Sequence, residues 1–413
     1  MSLNNTPRSN RIHIAFFGKT NVGKSSIINA VTGQEIAIVS PFKGTTTDPV
    51  YKSMELLPLG PVTMIDTAGL WDFSALGELR KEKTMEILNK TDLAVVVIDA
   101  VEKNLSLEKD LVSHLQNKKI PLIGVINKID TIETPDLIQK YFELELGIPF
   151  ILVSSLNKTG IKQLKNTLAE MIPEEEDKFK IVGDLISPGD FVVLVVPIDK
   201  AAPKGRLILP QQQTIRDILE SDAIAVVTKE HELRETLHHL GAKPKLVITD
   251  SQAFLKVSGD TPMDIMMTSF SILFARHKGD LNTLVLGAKK IAALKDGDII
   301  LMAEGCTHHR QSDDIGTVKI PRWLRQLTGK QLIFEHVAGV QFTKDITRYS
   351  LIVHCGGCML NHRAMMYRIQ TSKEYEVPIV NYGILIAYVH GILDRALQPF
   401  PMAKLLWDSK GGV

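Results

Sequence analysis

All three cysteines of the chain lie in its last quarter, in two short motifs. Residues 306–308 read Cys-Thr-His and residues 354–358 read His-Cys-Gly-Gly-Cys, with 45 residues, 309–353, between them. Cysteines that only fill a core are scattered among apolar positions, whereas these share their surroundings with histidines and glycines, as ligands of soft metals do. The pattern predicts a metal or an iron-sulfur cluster bound by Cys306, Cys355 and Cys358.

A second chemical motif lies near the N-terminus. Residues 18–25, Gly-Lys-Thr-Asn-Val-Gly-Lys-Ser, satisfy G-x-x-x-x-G-K-[ST] between an apolar strand, 12–17, and a helical run, 26–31. The glycines let backbone N–H groups wrap a β-phosphate, while Lys24 offers a charge to the β and γ oxygens and Ser25 offers a hydroxyl to Mg²⁺. The predicted nucleotide contacts are Asn21, Val22, Gly23, Lys24, Ser25 and Ser26.

Three further motifs each follow an apolar strand. In residues 66–69, Asp-Thr-Ala-Gly, the Asp66 carboxylate can reach the Mg²⁺ shell and Gly69 can donate its N–H to a γ-phosphate. In residues 127–130, Asn-Lys-Ile-Asp, Asp130 can accept two N–H donors of guanine, which adenine does not supply. GTP is therefore predicted over ATP. The third motif, residues 154–156, Ser-Ser-Leu, completes the base-binding loop. The predicted base-binding residues are Asn127, Lys128, Asp130, Ser154 and Ser155.

The composition indicates a globular protein without a dominant charge. Lysine plus arginine number 48 and aspartate plus glutamate 47, with 44% hydrophobic and 23% charged residues. This balance predicts neither a nucleic-acid partner nor a membrane partner. The N-terminus shows no secretory signal, and the longest apolar stretch, 377–393, is too broken to span a bilayer. An odd number of cysteines then favours metal ligation in a reducing cytoplasm over disulfides.

The apolar pattern predicts an α/β fold with three domains, at residues 1–173, 181–268 and 269–413. The first boundary follows from a proline and a charge run at 173–178. The Met-rich segment 262–275 is interpreted as an apolar helix face beside the second boundary. In the third domain both cysteine motifs come just after predicted strands, so they can converge at one edge of a parallel sheet. The predicted strands of the first domain are 12–17, 62–66, 93–99, 122–127 and 150–154.

The nucleotide motifs together resemble the Era/TrmE-like branch of translation-factor-class GTPases, over residues 11 to about 172. The resemblance implies a P-loop GTPase domain in which residues 44–48, Gly-Thr-Thr-Thr-Asp, form switch I, with Thr46 as the Mg²⁺ ligand and Thr45 next. Leu70 stands where Ras-like enzymes carry a water-orienting Gln, so slow intrinsic hydrolysis is expected. Related GTPases bind K⁺ through a P-loop Asn, which Asn21 matches. The implied catalytic residues are Lys24, Thr46, Asp66 and Gly69.

The cysteine motifs behind such a domain resemble the HydF family, the maturation GTPases of iron-iron hydrogenase, over all three domains. This resemblance implies a 4Fe-4S cluster held by the three cysteines, with an exchangeable fourth ligand at His308, His354 or Glu304. It also implies a homodimeric scaffold that passes a di-iron precursor to apo-(FeFe)-hydrogenase, with radical-SAM maturases as partners. Two smaller α/β domains, the first of them dimerising, would follow the GTPase domain.

Zinc is the alternative for the cysteine site, because three cysteines and one histidine satisfy a closed tetrahedral Cys₃His site and spacing does not exclude it. The corresponding function would be a zinc-bearing Era-like G-protein acting as an RNA-binding or ribosome-assembly module. The near balance of 48 basic and 47 acidic residues weighs against that function.

Overall fold

In the computed structural model the chain divides into two compact units, Met1–Glu174 and Glu175–Val413. The structure describes residues 11–33, 49–57, 59–67, 77–171, 180–197, 207–305, 314–339, 342, 345–357 and 360–409, without the side chains of 77–82.

The first unit is an α/β layer structure built on one sheet. Its strands are β1 (Ile12–Phe17), β2 (Val50–Leu56), β3 (Gly60–Asp66), β4 (Leu93–Asp99), β5 (Leu122–Asn127) and β6 (Phe150–Leu152). Its helices are α1 (Lys24–Thr32), α2 (Gly77–Lys90), α3 (Ser106–Asn117), α4 (Pro135–Leu146) and α5 (Ile161–Glu170). The strand order is β2-β3-β1-β4-β5-β6, and every pair except the antiparallel β2-β3 is parallel.

Both faces of this sheet are covered by helices. Side chains of a strand alternate between the two faces, so Ile14 and Phe16 of β1 pack with α1 and α5. Ala15 and Phe17 pack on the opposite face with α3 and α4. A strand buried on both faces is apolar at consecutive positions, which explains why its sequence shows a continuous apolar run.

The predicted α/β fold of this unit is confirmed, and so are its five predicted strands, within a few residues at their ends. The edge strand β2 was missed. Its sequence, VYKSMEL, mixes charged and apolar residues, because only some of its side chains are buried. An edge strand gains its hydrogen bonds from one neighbour and leaves a weak sequence signal.

The second unit carries two four-stranded parallel sheets. Their strands are β7 (Phe191–Val195), β8 (Ile224–Thr228), β9 (Leu246–Thr249), β10 (Met266–Ser269), β11 (Ile299–Glu304), β12 (Ile333–Ala338), β13 (Leu351–His354) and β14 (Ile379–Asn381). The orders are β10-β9-β7-β8 and β12-β11-β13-β14, with every neighbouring pair parallel.

Helices connect these strands and close the two layers, and one apolar core runs through both sheets. The helices are α6 (Leu209–Glu220), α7 (Leu233–His239), α8 (Phe254–Asp260), α9 (Phe270–Lys278), α10 (Leu281–Lys289), α11 (Ile320–Thr328), α12 (His362–Glu374), α13 (Tyr382–Val389), α14 (Leu393–Ala396) and α15 (Pro401–Asp408). A single π-helical turn, Ile315–Lys319, leads directly into α11.

The Met-rich segment 262–275 differs from its interpretation as a helix face. Its middle forms strand β10, and the helix α9 begins only at Phe270, after the N-cap Ser269. The four residues of β10 pair with β9, and backbone pairing of that kind leaves no helical period in the sequence. The predicted boundary at 268/269 falls inside this strand, and the division into 181–268 and 269–413 stays a prediction.

Candidate functional site

The loop between β1 and α1 adopts backbone conformations that glycine permits. Gly18 has φ 146° and Gly23 has φ 91°, and Asn21 between them also has a positive φ, 66°. A Cβ built at Gly18 would lie 2.3 Å from the carbonyl oxygen of Val97. Consequently, both motif glycines are required by the turn, which leaves the N-terminus of α1 exposed to an anion.

Lys24 occupies the first position of α1 and lies inside this loop. Its side chain is buried, and Nζ donates to the carbonyl oxygens of Gly18 at 3.0 Å and Lys19 at 2.7 Å. Burial lowers the pKa of Lys24 to about 8, and the nearby Asp66 partly opposes that shift. The ammonium is thus charged at neutral pH and held by neutral carbonyls, which an incoming phosphate can replace.

Two of the Mg²⁺ residues predicted from the sequence, Ser25 and Asp66, meet at the same end of the sheet. The hydroxyl of Ser25 donates to a carboxylate oxygen of Asp66, which ends β3. Thr67 donates through Oγ1 to the carbonyl oxygen of Phe16 at 2.7 Å, which fixes the end of β3 against β1. A hydroxyl and a carboxylate in contact are the oxygen donors that Mg²⁺ takes in nucleotide sites.

Asn127, at the end of β5, joins two loops of the nucleotide site. Its Nδ2 donates to the carbonyl oxygen of Val22 at 2.9 Å, and its Oδ1 accepts the N–H of Ser155 at 3.1 Å. A Cβ at Gly23 would lie 2.2 Å from Asn127 Nδ2. The asparagine therefore packs directly on the P-loop and holds it against the loop after β6.

The next residues of that motif are also positioned by hydrogen bonds. Lys128 has φ 65° and its Nζ lies 2.5 Å from a carboxylate oxygen of Asp99, at the end of β4. The hydroxyl of Ser154 donates to the carboxylate of Asp130, and Asn157 donates its N–H to Ser154 Oγ at 3.2 Å. Asp130 is exposed, so its other carboxylate oxygen can face a base.

Lys19 is a site residue that the sequence motif did not single out. Its Nζ donates to the carbonyl oxygen of Asn104 at 2.5 Å and lies 2.9 Å from a carboxylate oxygen of Glu102. The carboxylate of Glu108 is 3.5 Å away and buried, and burial raises its pKa. These contacts tie the P-loop to the loop before α3. The motif accepts any residue at the position of Lys19, so the sequence does not predict these contacts.

Several predicted nucleotide residues lie outside the described part of the chain. They are Thr45, Thr46 and Gly69, together with Leu70. Asn21, Val22 and Ser26 are described, and Asn21 is exposed in its left-handed conformation. The K⁺ role of Asn21 stays a prediction.

The cysteine region lies at the carboxyl ends of β11 to β14. Their registers align Glu304 with Ala338, and they align His354 with both Ala303 and Asn381. The four strands thus end at nearly the same level, and ligand sites of parallel sheets lie outside such ends. In sequence, residues 306–308 come shortly after β11, and residues 354–358 begin with the last residue of β13.

Cys355 directly follows β13 and is half-buried. Its Sγ accepts N–H groups from Gly305 at 3.1 Å and from Gly357 at 3.4 Å. Gly357 has φ 61°, a conformation that favours glycine. Gly305 is the residue immediately before Cys306, and Gly357 is the residue immediately before Cys358. Two backbone N–H donors stabilise a thiolate at Cys355.

His354 is fully buried and uses both of its ring nitrogens. Its Nδ1 lies 2.6 Å from the carbonyl oxygen of Cys355, and its Nε2 lies 2.7 Å from Nη1 of Arg368. Burial, with a smaller contribution from the charge of Arg368, lowers the pKa of His354 to about 3. The imidazole is therefore neutral and lies next to residues 355–357, which we call the cysteine loop.

Glu304, the last residue of β11, is buried at the same edge. Its Oε1 accepts the hydroxyl of Tyr382 at 3.3 Å. Burial raises the pKa of Tyr382, and the negative charges of Glu304 and Cys355 add to that effect. The tyrosine accordingly keeps its proton and donates it to the carboxylate.

Two buried cations lie beside the cysteine loop, and sequence reasoning missed both. Lys278, the last residue of α9, donates from Nζ to the carbonyl oxygens of Leu360 at 3.0 Å and Gly357 at 3.5 Å. Arg368, in α12, is 2% exposed. Lysine and arginine are mostly exposed in proteins, so the sequence gives no signal for these buried neighbours, and only the fold reveals them.

Cys306, Cys358 and His308 lie outside the described residues. Within the described ranges, no group of three or more histidine, cysteine, aspartate or glutamate side chains is arranged to hold a metal ion. The convergence of the three cysteines stays a prediction. Of the predicted ligands, the structure places Cys355, Glu304 and His354 at the carboxyl end of this sheet. None of the helices in the described part of the chain has the length and apolar character needed to cross a bilayer.

Family models match most of the chain. One described as the Hydrogen maturase F dimerization domain matches residues 181–279, and one described as the Hydrogen maturase F tetramerization domain matches residues 282–399. A third, described as a 50S ribosome-binding GTPase, matches residues 13–128. The first two models are named for the same maturase, and they match consecutive segments of the second unit.

Individual relatives match the first unit. GTPase Der of Limosilactobacillus reuteri is 30% identical over 190 residues, 42% of this chain and 44% of that protein. The tRNA modification GTPase MnmE of Carboxydothermus hydrogenoformans is 38% identical over 162 residues, 38% of this chain and 34% of that protein. The chain thus spans less than half the length of these curated relatives.

A solved structure also matches this part of the chain. The FeoB G-domain of Methanococcus jannaschii is 27% identical and covers 39% of this chain and 97% of its own, with a TM-score of 0.31. A TM-score this low carries no argument about the function of this chain.

Proposed function

The chain belongs to the hydrogen maturase F family, and from that membership we propose that it is a GTP-hydrolysing scaffold for hydrogenase maturation. It would hold a 4Fe-4S cluster and a di-iron precursor, and it would pass the precursor to apo-(FeFe)-hydrogenase. The observation that best supports the proposed cluster concerns Cys355. Its sulfur accepts N–H groups from Gly305 and Gly357, the residues immediately before Cys306 and Cys358.

GTP binding is supported by the geometry of the first unit. A P-loop wraps a buried, charged Lys24, and Ser25 and Asp66 supply oxygen donors for Mg²⁺ beside it. Asp130, held by Ser154, would select guanine. We further propose that Thr46, or Thr45, senses the γ-phosphate through Mg²⁺ and that Gly69 donates to it.

Slow, K⁺-stimulated hydrolysis is proposed from two residues. Leu70 has no group that can hydrogen-bond an attacking water, so this chain needs another source of transition-state charge stabilisation. A monovalent cation beside the phosphates would supply such charge. Asn21, exposed in the P-loop, is the proposed ligand.

The described residues of the cysteine region fit an iron-sulfur cluster. A half-buried thiol with two N–H donors suits thiolate ligation, and the buried cations Lys278 and Arg368 offset the negative charge of several thiolates. Such a cluster would supply an iron with an exchangeable ligand, at which the precursor can dock. Three cysteine ligands leave one iron for that purpose.

We propose an order of preference among the three candidates for the fourth ligand of the cluster. Glu304 comes first, because its buried carboxylate ends the strand that leads to Cys306. His308, two residues after Cys306, comes second. His354 comes last, because it would have to give up its hydrogen bond to Arg368 before its Nε2 could reach iron.

An oligomer is proposed as the working form, with a homodimer as its basic unit. The matching family models are named for dimerization and tetramerization. The outer strand β8 exposes 42% of Ile224 and 47% of Val227, which supports contact with another chain at that edge. Radical-SAM maturases and apo-(FeFe)-hydrogenase as partners, and the cytoplasm as compartment, are proposed from family membership and cysteine usage.

An absorption spectrum of the protein purified without oxygen tests the cluster. Absorption near 400 nm that bleaches with dithionite, together with iron and acid-labile sulfide, is expected. A colourless protein with one bound zinc would favour the zinc-bearing G-protein instead. GTP hydrolysis is measured on the same sample in KCl and in NaCl. Protein that lacks iron and hydrolyses no GTP would end the proposal.

A further inference from the structure

Arg368 is one of the largest fully buried side chains in the described part of the molecule. It reaches from α12 to the ends of two strands. Nη1 contacts His354 Nε2 at 2.7 Å, and Nη2 donates to the carbonyl oxygen of Gly339 at 2.7 Å. The guanidinium also lies 5.3 Å from the ring centre of Phe342. The side chain thus links the residue after β12 to the last residue of β13.

The contacts of Arg368 determine the proton position on His354. A guanidinium has only donors, so Nε2 of the imidazole must be the acceptor. A carbonyl oxygen has only lone pairs, so Nδ1 must carry the proton that it donates to Cys355. One neutral tautomer satisfies both bonds. In that tautomer the lone pair of Nε2 is used by Arg368, and none is left for a metal.

The charge of Arg368 has a second consequence. Burying a guanidinium is unfavourable unless negative groups compensate it. Burial lowers the pKa of Arg368 to about 10, and a negative charge on Cys355 opposes that shift. Negative charge at the cysteine loop therefore favours the buried cation. By the same attraction, the cation favours whichever state of the loop's occupant carries more negative charge.

We propose that Arg368 is a positioning residue of the cysteine site, which keeps His354 off the metal and raises the reduction potential of the bound cluster. This inference rests on the proposed 4Fe-4S cluster. On reduction the cluster takes one electron from a solution mediator and gains one unit of negative charge. A buried cation close to Cys355 stabilises that reduced state, because charge and hydrogen bonding near the sulfurs set cluster potentials.

The first test compares Arg368→Gln, Arg368→Lys and Arg322→Gln in the full chain. Gln removes the charge, Lys keeps it but cannot make both hydrogen bonds, and Arg322 is an exposed arginine of α11 that serves as the control. A redox titration monitored by EPR gives the ratio of reduced to oxidised cluster. For Arg368→Gln this ratio should fall about tenfold at a fixed solution potential, a shift of about 59 mV for one electron.

The lysine and control variants should stay within about twofold of wild type in that ratio. A purely structural role for Arg368 would instead move the lysine and glutamine variants equally, and that result overturns the charge assignment. So does an unchanged ratio in Arg368→Gln. Wild-type protein without iron would remove the proposed cluster, on which this inference rests. A normal cluster whose potential is the same in wild type and in the Arg368 variants would remove only this inference.

A second measurement needs no Arg368 variant and stands even if Arg368→Gln does not fold. Protein labelled with ¹⁵N-histidine is reduced and examined by pulsed EPR, with His354→Gln for comparison. No strong nitrogen coupling that depends on His354 is expected, because its Nε2 lone pair is bound to Arg368. A coupling typical of a directly bonded nitrogen in wild type, lost in His354→Gln, would overturn the proposed role of Arg368.

Discussion

The nucleotide site and the cysteine site both lie at the carboxyl ends of parallel strands, but different parts of the chain hold them together. In the nucleotide site, Lys24 is bonded to Gly18 and Lys19, which belong to its own motif. In the cysteine site, the buried cations Lys278 and Arg368 come from helices outside either cysteine motif. The charged group of the nucleotide site thus belongs to its own motif, whereas the cations of the cysteine site are brought to it by the tertiary fold. We call the first a local site and the second a dispersed site.

The largest effect is expected from a substitution that disrupts the nucleotide site alone. Lys24→Ala should lower GTP hydrolysis by roughly 10²–10³-fold, because it removes the charge nearest the β and γ phosphates. Iron content should stay near the wild-type value, since the two sites lie on separate compact units. The measurements are phosphate release and iron per chain.

Lys19→Ala is the matched control for that experiment. Lys19 belongs to the same loop, but its partners are Asn104, Glu102 and Glu108 rather than a phosphate. None of these partners is assigned to phosphate, Mg²⁺ or the base, and the Lys19–Glu102 pair is partly exposed, so less than about a fivefold change in hydrolysis per folded chain is expected. Loss of iron in Lys24→Ala, or an equal loss of hydrolysis in both variants, would contradict the separation of the sites.

The next largest effect is expected from a substitution that disrupts the cysteine site alone. Cys355→Ser should weaken cluster binding by at least roughly 10–100-fold, because a hydroxyl is a poor ligand for iron in a cluster and even supporting groups of metal sites cost that much. Iron and sulfide per chain are measured after gel filtration, alongside GTP hydrolysis, which should not change. Unaltered iron and sulfide would reject Cys355 as a ligand.

The smallest effect sharpens the electrostatic side of the comparison. Burial lowers the pKa of Lys24 to about 8, so its phosphate-binding charge is present below that pH and is lost as pH rises through it. GDP affinity of the nucleotide-free chain should therefore fall by up to about tenfold per pH unit above about pH 8. Fluorescence titration with a labelled GDP measures this dependence.

Lys24→Arg is the control for the pH experiment. Arginine stays charged throughout the range, so the affinity of this variant should show a much weaker decline. Equal declines in the two proteins would assign the pH dependence to another group, such as the nucleotide base.

Prediction from the sequence succeeded where strands are buried on both faces. β1, β4 and β5 were located because their apolar runs are continuous, and nucleotide motifs follow β1 and β5. It missed the edge strand β2, and it missed the switch from strand to helix inside the Met-rich segment. In both places pairing with a neighbouring strand determines the conformation, and that neighbour is remote in sequence.

Site prediction shows the same division. The sequence by itself determined the residues that act through their own loop, such as Lys24 and Ser25, because motif spacing positions them on one turn. It also identified Cys355 as a candidate ligand. Only the tertiary structure decided which nitrogen of His354 carries its proton, and which cations underlie the cysteine loop. Arg368 meets His354 and Gly339 because helix α12 packs against the ends of two strands, and no local pattern encodes that contact.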